Sequence, residues 1–361
     1  MPSLPHHTSD PLPQAAVRLA DGAVTVEAAH RETGHASASA FARAFRERFH
    51  ATPRAFAALR HTGRLRIHYD GPFDTATVLT YLGRDPHNAA ERVAGRRYTR
   101  HLPVGASQLL VHIELGETAC TVALPDAPDG ETALAVHGAV TRLLGLAQPL
   151  KDFHAHAGDH PVMGALLRRW PGLRVPQTPT PWEALCWAVL GQQINLAFAY
   201  RLRNRLVRLA NGVAPDVPQD GTPLPFPSPE QVLAVPDEAL TAQQFSRGKV
   251  RYLKAAAAAL TDGELGRLLR DGASPDEVMP ALRRVTGIGP WTGNYVLMRG
   301  LGHADALPVG DAGLRNAMRL CFGLDALPNV AQQEALMAPF HPYRSLACYY
   351  LWKALGAERA A

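Results

Sequence analysis

The sequence predicts a mainly α-helical protein with a small α+β domain ahead of the helical part. Three observations carry this. From about residue 132 onward apolar residues recur at helical spacing, whereas between 64 and 125 they alternate or are β-branched. Before that, Phe41, Phe45 and Phe49 stand four apart, on one face of a helix. A chain of 361 residues suits two or three domains, and 47% hydrophobic residues can fill a sizeable core.

The elements follow in order. Residues 1–21 are rich in Pro, His and Ser and are expected to form a disordered tail. Residues 22–61 should form short helices around a turn, with Arg43, Arg46 and Arg48 off the phenylalanine face. Residues 62–148 should form an antiparallel sheet domain. Its strands are RLRIHYD (64–70), RRYTRHLPV (96–104), SQLLVHIEL (107–115) and TACTVALP (118–125), with turns at Gly105 and Gly116. TYLGRDPH, near residue 80, ends a helix. Residues 149–361 should be helical, interrupted by a Pro-rich surface loop at 211–229.

The formal net charge is +5, which permits an anionic partner without demanding one. Arginine dominates the basic set, with lysine only at 151, 249, 254 and 353. Cys120, Cys186, Cys321 and Cys348 form no CxxC pair and suit neither zinc nor an iron–sulfur cluster, so reduced thiols and no metal are expected. The start lacks a signal-peptide layout and no apolar run reaches membrane-spanning length, which predicts a cytoplasmic protein without a membrane partner.

The stretch VTGIGPWTGNYVLMRGLGHADALPVGDAGLRNAM (285–318) is the most informative. Gly287 and Gly289 allow a tight turn, and Pro290 suits the first position of a helix. The backbone N–H groups there, with the helix dipole, would make an anion site that needs no side chain. A DNA phosphate would be gripped by it regardless of base sequence. Taken singly, each feature also fits a plain structural role: an ordinary αα-turn, an N-cap at Asp311, and core packing for Trp291 with Tyr295 one turn on.

Together, the hairpin VTGIGPWTGN and the loop LPVGD resemble the helix-hairpin-helix, Gly/Pro-rich-loop and Asp signature (HhH-GPD) of base-excision DNA glycosylases. PWEALCWAVLGQQIN (181–195), RWPGLRVP (169–176) and YRSLACYYLW (343–352) resemble the 3-methyladenine DNA glycosylase II (AlkA-type) branch, and 64–130 resembles its small N-terminal sheet domain. The resemblance covers about 64 to 356 and implies a two-lobed, all-helical core. It implies that Asp311 is the catalytic carboxylate, that Trp291, Tyr295 and Tyr343 face the substrate base, and that Gly287, Gly289, Thr292, Gln192, Gln193 and Asn195 meet DNA. Lyase members carry a Schiff-base lysine where this chain has Trp291, so a monofunctional enzyme is implied. Gln193 replaces a leucine wedge found in some members, and Tyr343 replaces a pocket tryptophan.

The function implied is excision of 3-methyladenine- and 7-methylguanine-type bases from double-stranded DNA, by a monomer without a cofactor. The alternatives are a glycosylase for deaminated or oxidised bases, and an Ada/AraC-like regulator. The latter arises because residues 24–58 resemble the second helix-turn-helix of AraC-type proteins through Gly34, Ser37, Phe41, Arg43, Phe45, Thr52 and Pro53, with His35 and His50 departing from that pattern. They are read as the remnant of a fusion between such a regulator and a glycosylase.

Overall fold

A computed structural model describes residues 10–105, 107–124, 128–214, 221–261, 263–270 and 272–358. The chain divides into two compact units, Met1–Thr141 with Pro218–Phe226, and Arg142–Val217 with Pro227–Ala361.

The first unit opens with four helices: α1 (Pro11–Ala20), α2 (Val26–Glu32), α3 (Ala38–Phe49) and α4 (Pro53–Thr62). Then come β1 (Arg64–His68), α5 (Thr75–Leu82), β2 (Glu91–Ala94), β3 (Arg97–Val104), β4 (Ser107–Leu115), β5 (Ala119–Ala123) and α6 (Gly130–Leu143). The sheet is antiparallel in the order β1-β5-β4-β3-β2. Leu65 pairs with Val122, Val122 with Ile113, and Ile113 with Tyr98, so one buried row crosses four strands. This register follows from the period-2 pattern, because a slip of one residue would turn the whole row outward. The short strand β2 escapes the sequence reading. It is held by buried Glu91, which accepts from the Tyr98 hydroxyl and from Arg100 Nη1 at 3.2 Å.

Two expectations are corrected here. Residues 1–9 lie outside the described set, but 11–20 form a helix rather than a disordered tail. Asp10 caps it, Pro11 takes the first turn, and Leu12, Ala15, Ala16, Leu19 and Ala20 make a buried stripe. The Pro- and His-rich start masks that stripe in composition. Nor are residues 22–61 a separate domain. The buried phenylalanines of α3 continue to Phe56 of α4, and His137 of α6 lies 5.5 Å from the Phe49 ring and 5.6 Å from the Phe56 ring. The His137 Nε2 bonds the Phe49 carbonyl at 2.7 Å, and the His68 N–H donates to the His50 carbonyl at 2.6 Å. The helices and the sheet domain therefore share one core.

The second unit is helical: α7 (Leu150–Ala157), α8 (Pro161–Arg169), α9 (Pro181–Gly191), α10 (Leu196–Ala210), α11 (Pro229–Ala234), α12 (Asp237–Ala242), α13 (Arg247–Thr261), α14 (Glu264–Arg270), α15 (Pro275–Arg284), α16 (Pro290–Arg299), α17 (Ala312–Cys321), α18 (Val330–Met337) and α19 (Arg344–Glu358). Helix α9 is buried nearly all round, and its Glu183 pairs with Arg203 of α10 at 2.7 Å. The loop expected at 211–229 falls partly outside the described residues; its end, 221–226, belongs to the first unit, where the Leu224 N–H donates to the Ala89 carbonyl at 2.7 Å. Among the described residues no helix is long and apolar enough to cross a membrane.

The shared core makes a prediction. Phe49→Ala should destabilise the first unit by about 3–5 kcal/mol, the scale for emptying a buried aromatic site. Denaturant unfolding followed by sheet-domain signals measures it. A separable 22–61 module would leave the sheet transition where it was.

Candidate active site

The hairpin forms where the sequence places it. Helix α15 ends at Arg284, Gly287 adopts φ +87°, and α16 starts at Pro290. Gly287 is required twice over, since a Cβ there would also lie 2.3 Å from the Tyr252 ring. Gly289 is different: it has φ −93° and stands as the N-cap of α16 without a side chain to donate or accept. The first turn of α16 therefore has no side-chain cap, which leaves its backbone N–H groups and the positive end of the helix dipole for an anion.

Twenty residues on, Asp311 caps α17, its Oδ1 accepting from the Leu314 N–H at 2.7 Å. Two indoles complete its surroundings. Trp291 Nε1 donates to Oδ2 at 3.0 Å and Trp352 Nε1 donates to Oδ1 at 3.1 Å. Tyr295, 8% exposed, lies with its ring centroid 5.7 Å from that of Trp291. The half-buried carboxylate thus sits among electron-rich rings, with both oxygens fixed by N–H donors from α16, α17 and α19. Cys348 is buried in the same region. Burial, and then the Asp311 charge, push its thiol pKa well up, which keeps the thiol protonated.

The loop that carries Asp311 is pinned at every few residues. The Ala306 N–H donates to buried Ser345 Oγ at 2.9 Å, and the Leu307 N–H to Asn294 Oδ1 at 3.2 Å. The Gly310 N–H donates to buried Gln333 Oε1 at 2.9 Å. Asp305 accepts from Arg344 Nε at 2.8 Å and Nη2 at 2.6 Å, and bonds His341 Nδ1 at 2.8 Å.

Residues 186–342 match the HhH-GPD superfamily base excision DNA repair protein family, and residues 64–179 match the AlkA N-terminal domain. A relative named DNA-3-methyladenine glycosylase 1, from Schizosaccharomyces pombe, is 30% identical over 177 residues, 48% of this chain and 72% of its own. The chain belongs to the HhH-GPD superfamily. A Bacillus subtilis DNA-3-methyladenine glycosylase is 28% identical over 288 residues, covering 78% of this chain and 94% of the relative. The solved 3-methyladenine DNA glycosylase of Archaeoglobus fulgidus shares the fold, with a TM-score of 0.69 at 20% identity, covering 81% of this chain and 98% of that one. Both matched regions begin after residue 63, so α1–α4 precede the part shared with the superfamily models.

Within this HhH-GPD chain the expected site residues divide. Asp311, Trp291 and Tyr295 come together. Gly287 and Gly289 make the hairpin. Gln193 is exposed at φ +56°, and Asn195 caps α10 by accepting from the Phe198 N–H at 2.9 Å. Three assignments need correction. Thr292 is 2% exposed and takes a bond from Gln192 Nε2 at 3.1 Å, so its side chain braces the hairpin from inside. Gln192 also donates to the Gly287 carbonyl at 2.9 Å; its side chain ties the end of α9 to the hairpin. Tyr343 stands in another cluster, 6.0 Å from Phe153 and 5.5 Å from His156, and the indole beside Asp311 is Trp352. The quoted YRSLACYYLW motif contains Trp352, but its role depends on a contact 41 residues away in sequence.

Sequence reasoning also missed Lys249. Its buried ammonium donates to the carbonyls of Val189, Leu190 and Gln192 at 3.1, 2.8 and 2.9 Å, closing the C-terminal end of α9 at the GQQIN tip. Burial lowers its pKa below the ordinary lysine value.

The Asp305–Arg344 clamp is testable. Burial alone would raise the Asp305 pKa, but the Arg344 and His341 bonds outweigh it and the value falls below the usual carboxylate range. A depressed folded pKa adds stability that is present above the unfolded value of ~3.9 and disappears as pH falls below it. Arg344→Ala should therefore destabilise the second unit by about 2 kcal/mol at neutral pH, and the gap between variant and wild type should narrow as the pH drops below ~4. Melting curves at pH 7 and pH 3.5 measure both. An equal gap at the two values would contradict the clamp.

Proposed function

We propose that this protein is a monofunctional DNA glycosylase that removes alkylated bases of the 3-methyladenine and 7-methylguanine type from double-stranded DNA. The observation that carries the reading is the Asp311 carboxylate, fixed by the indoles of Trp291 and Trp352 one helix away from a hairpin with an uncapped helix start. The relatives named DNA-3-methyladenine glycosylase support the same substrate class.

Each part has work suited to it. The N–H groups at the start of α16 bind a backbone phosphate, and so hold DNA without reading its sequence. The exposed tip at Gln193 and Asn195, beside Leu196 at 58% exposure, occupies the gap left when the target nucleotide is turned out of the stack. A base alkylated at N3 of adenine or N7 of guanine is cationic. It stacks on the rings of Trp291, Tyr295 and Trp352 more strongly than a neutral base does. It is also a good leaving group without protonation, so no general acid is needed.

As the N-glycosidic bond lengthens, positive charge grows on the sugar, and the fixed Asp311 carboxylate stabilises it. Water supplies the new C–O bond; the products are a free base and an abasic strand. Three of the four lysines have other engagements: Lys249 on the α9 carbonyls, Lys254 with Asp237 at 2.7 Å, and Lys353 over Trp170 at 5.8 Å. This supports hydrolysis rather than imine chemistry.

Asp311→Asn should lose roughly 100-fold or more in single-turnover base release, the scale of deleting one preorganised electrostatic group. It should stay folded, because Asn also caps helices. Near-wild-type release by a folded variant would refute the assignment. Trp291→Ala should slow release of cationic bases by ~10-fold or more and neutral ones by less, since only the former lose the charge contribution. Equal losses on both classes would assign Trp291 to packing alone. A covalent complex trapped by borohydride with the wild-type protein would overturn the monofunctional reading.

A further inference from the structure

Helix α16 presents Trp291, Tyr295 and Arg299 at spacings of four, one stripe of the helix. The first two belong to the site described above. Arg299, the last residue of α16, is 5% exposed. A guanidinium so deeply buried must be matched by acceptors and flat surfaces. Nη1 donates to the Pro176 carbonyl at 2.5 Å, and the Arg299 carbonyl accepts from the Thr178 N–H at 2.8 Å. The guanidinium carbon lies 5.0 Å from the Tyr349 ring centroid and 5.9 Å from that of Trp352. Side chain and main chain are therefore both tethered, and the planar cation faces two rings three residues apart on α19.

We propose that Arg299 is a positioning residue that sets the plane of the Trp352 indole and thereby delivers its N–H to Asp311. The inference rests on the reading of Asp311 as the catalytic carboxylate. Trp352 Nε1 reaches Oδ1 at 3.1 Å beside the first turn of α17. Gly313 stands there, where an added Cβ would lie 3.1 Å from Asp311 Oδ1 and 3.4 Å from Trp352 Nε1. The glycine gives the indole edge room to approach and carries no side chain that would hold the plane of the ring. The Arg299 guanidinium over the indole supplies that hold, because a cation over the ring face leaves the N–H edge free for the carboxylate. The flat guanidinium does this better than an ammonium, which is a point charge on a flexible stem.

A double-mutant cycle tests this. Single-turnover release of 7-methylguanine from a duplex is measured for wild type, Arg299→Met, Trp352→Phe and the double variant, with Asp311→Asn as the control. Affinity for undamaged duplex and melting temperature are followed in parallel. Arg299→Met should slow release by ~10-fold in the wild-type background, the scale of a slightly misplaced catalytic group, and by less than about 2-fold once Trp352 is Phe. Affinity for undamaged DNA should not change, and Arg299→Lys should recover part of the rate. Equal losses in the two backgrounds, or full activity in folded Arg299→Met, would overturn the proposal. If Arg299→Met does not fold, Arg299→Lys takes its place in the same cycle, with a smaller loss that must again vanish in the Trp352→Phe background. An active Asp311→Asn would sink the underlying site reading. A slow Asp311→Asn beside a fast Arg299→Met would sink only the role of Arg299.

Discussion

The Asp311 carboxylate, held by three N–H donors, is the constraint on which the rest of the second unit depends. One donor is the backbone of α17, and the other two are indoles on α16 and α19. A half-buried carboxylate among aromatic rings is costly unless hydrogen bonds meet both of its oxygens. Meeting them from three helices fixes where those helices sit. It also explains the density of pins on the loop before Asp311, where Asn294, Gln333, Arg344 and Ser345 each hold a different point. A loop free to move by an ångström would lose the geometry and, with it, the charge placement that catalysis requires.

The hairpin depends on a second set of bonds of the same kind. Gln192 spans from the end of α9 to the Gly287 carbonyl and the Thr292 hydroxyl, so the GQQIN tip and the hairpin form one braced body. Lys249 closes the α9 end from α13. Those carbonyls are orphans of helix termination and would be costly if buried without donors. Two elements that meet DNA in the proposed mechanism are thus tied to each other by buried side chains. Exposed Gln193, at the point of the tip, is left to face outward.

Much of this was legible in the sequence, and the reason is local. The helix start at Pro290, the cap at Asp311, the turn at Gly287 and the Phe41–Phe45–Phe49 stripe each rest on residues within one or two turns of one another, which periodicity and capping rules describe. What stayed hidden depends on partners distant in the chain. Trp352 and Tyr343 both lie in the same C-terminal motif, and only the fold decides which ring meets Asp311. Thr292 looks like an outward hydroxyl in a hairpin until Gln192, 100 residues earlier, is seen to bond it. Lys249 resembles any surface lysine until the carbonyls of Val189, Leu190 and Gln192, at and just past the end of α9, surround it. The stripe of α1 was readable in principle but was obscured by the composition of its neighbours, and the four residues of β2 are too few for a pattern to show.

The central claim is that one carboxylate organises two indoles. The most direct measurement is the indole N–H region of an amide-type 15N–1H correlation spectrum, compared between wild type and Asp311→Asn. The chain has five tryptophans. Two indole signals, assigned to Trp291 and Trp352 by single substitution, should lie downfield in the wild type and move upfield together in the variant, because a bond to a neutral amide is weaker than one to a carboxylate. Signals of Trp170, Trp182 and Trp187 should stay in place. If only one of the two site indoles responds, or neither does, the carboxylate does not hold both rings and the account fails at its centre.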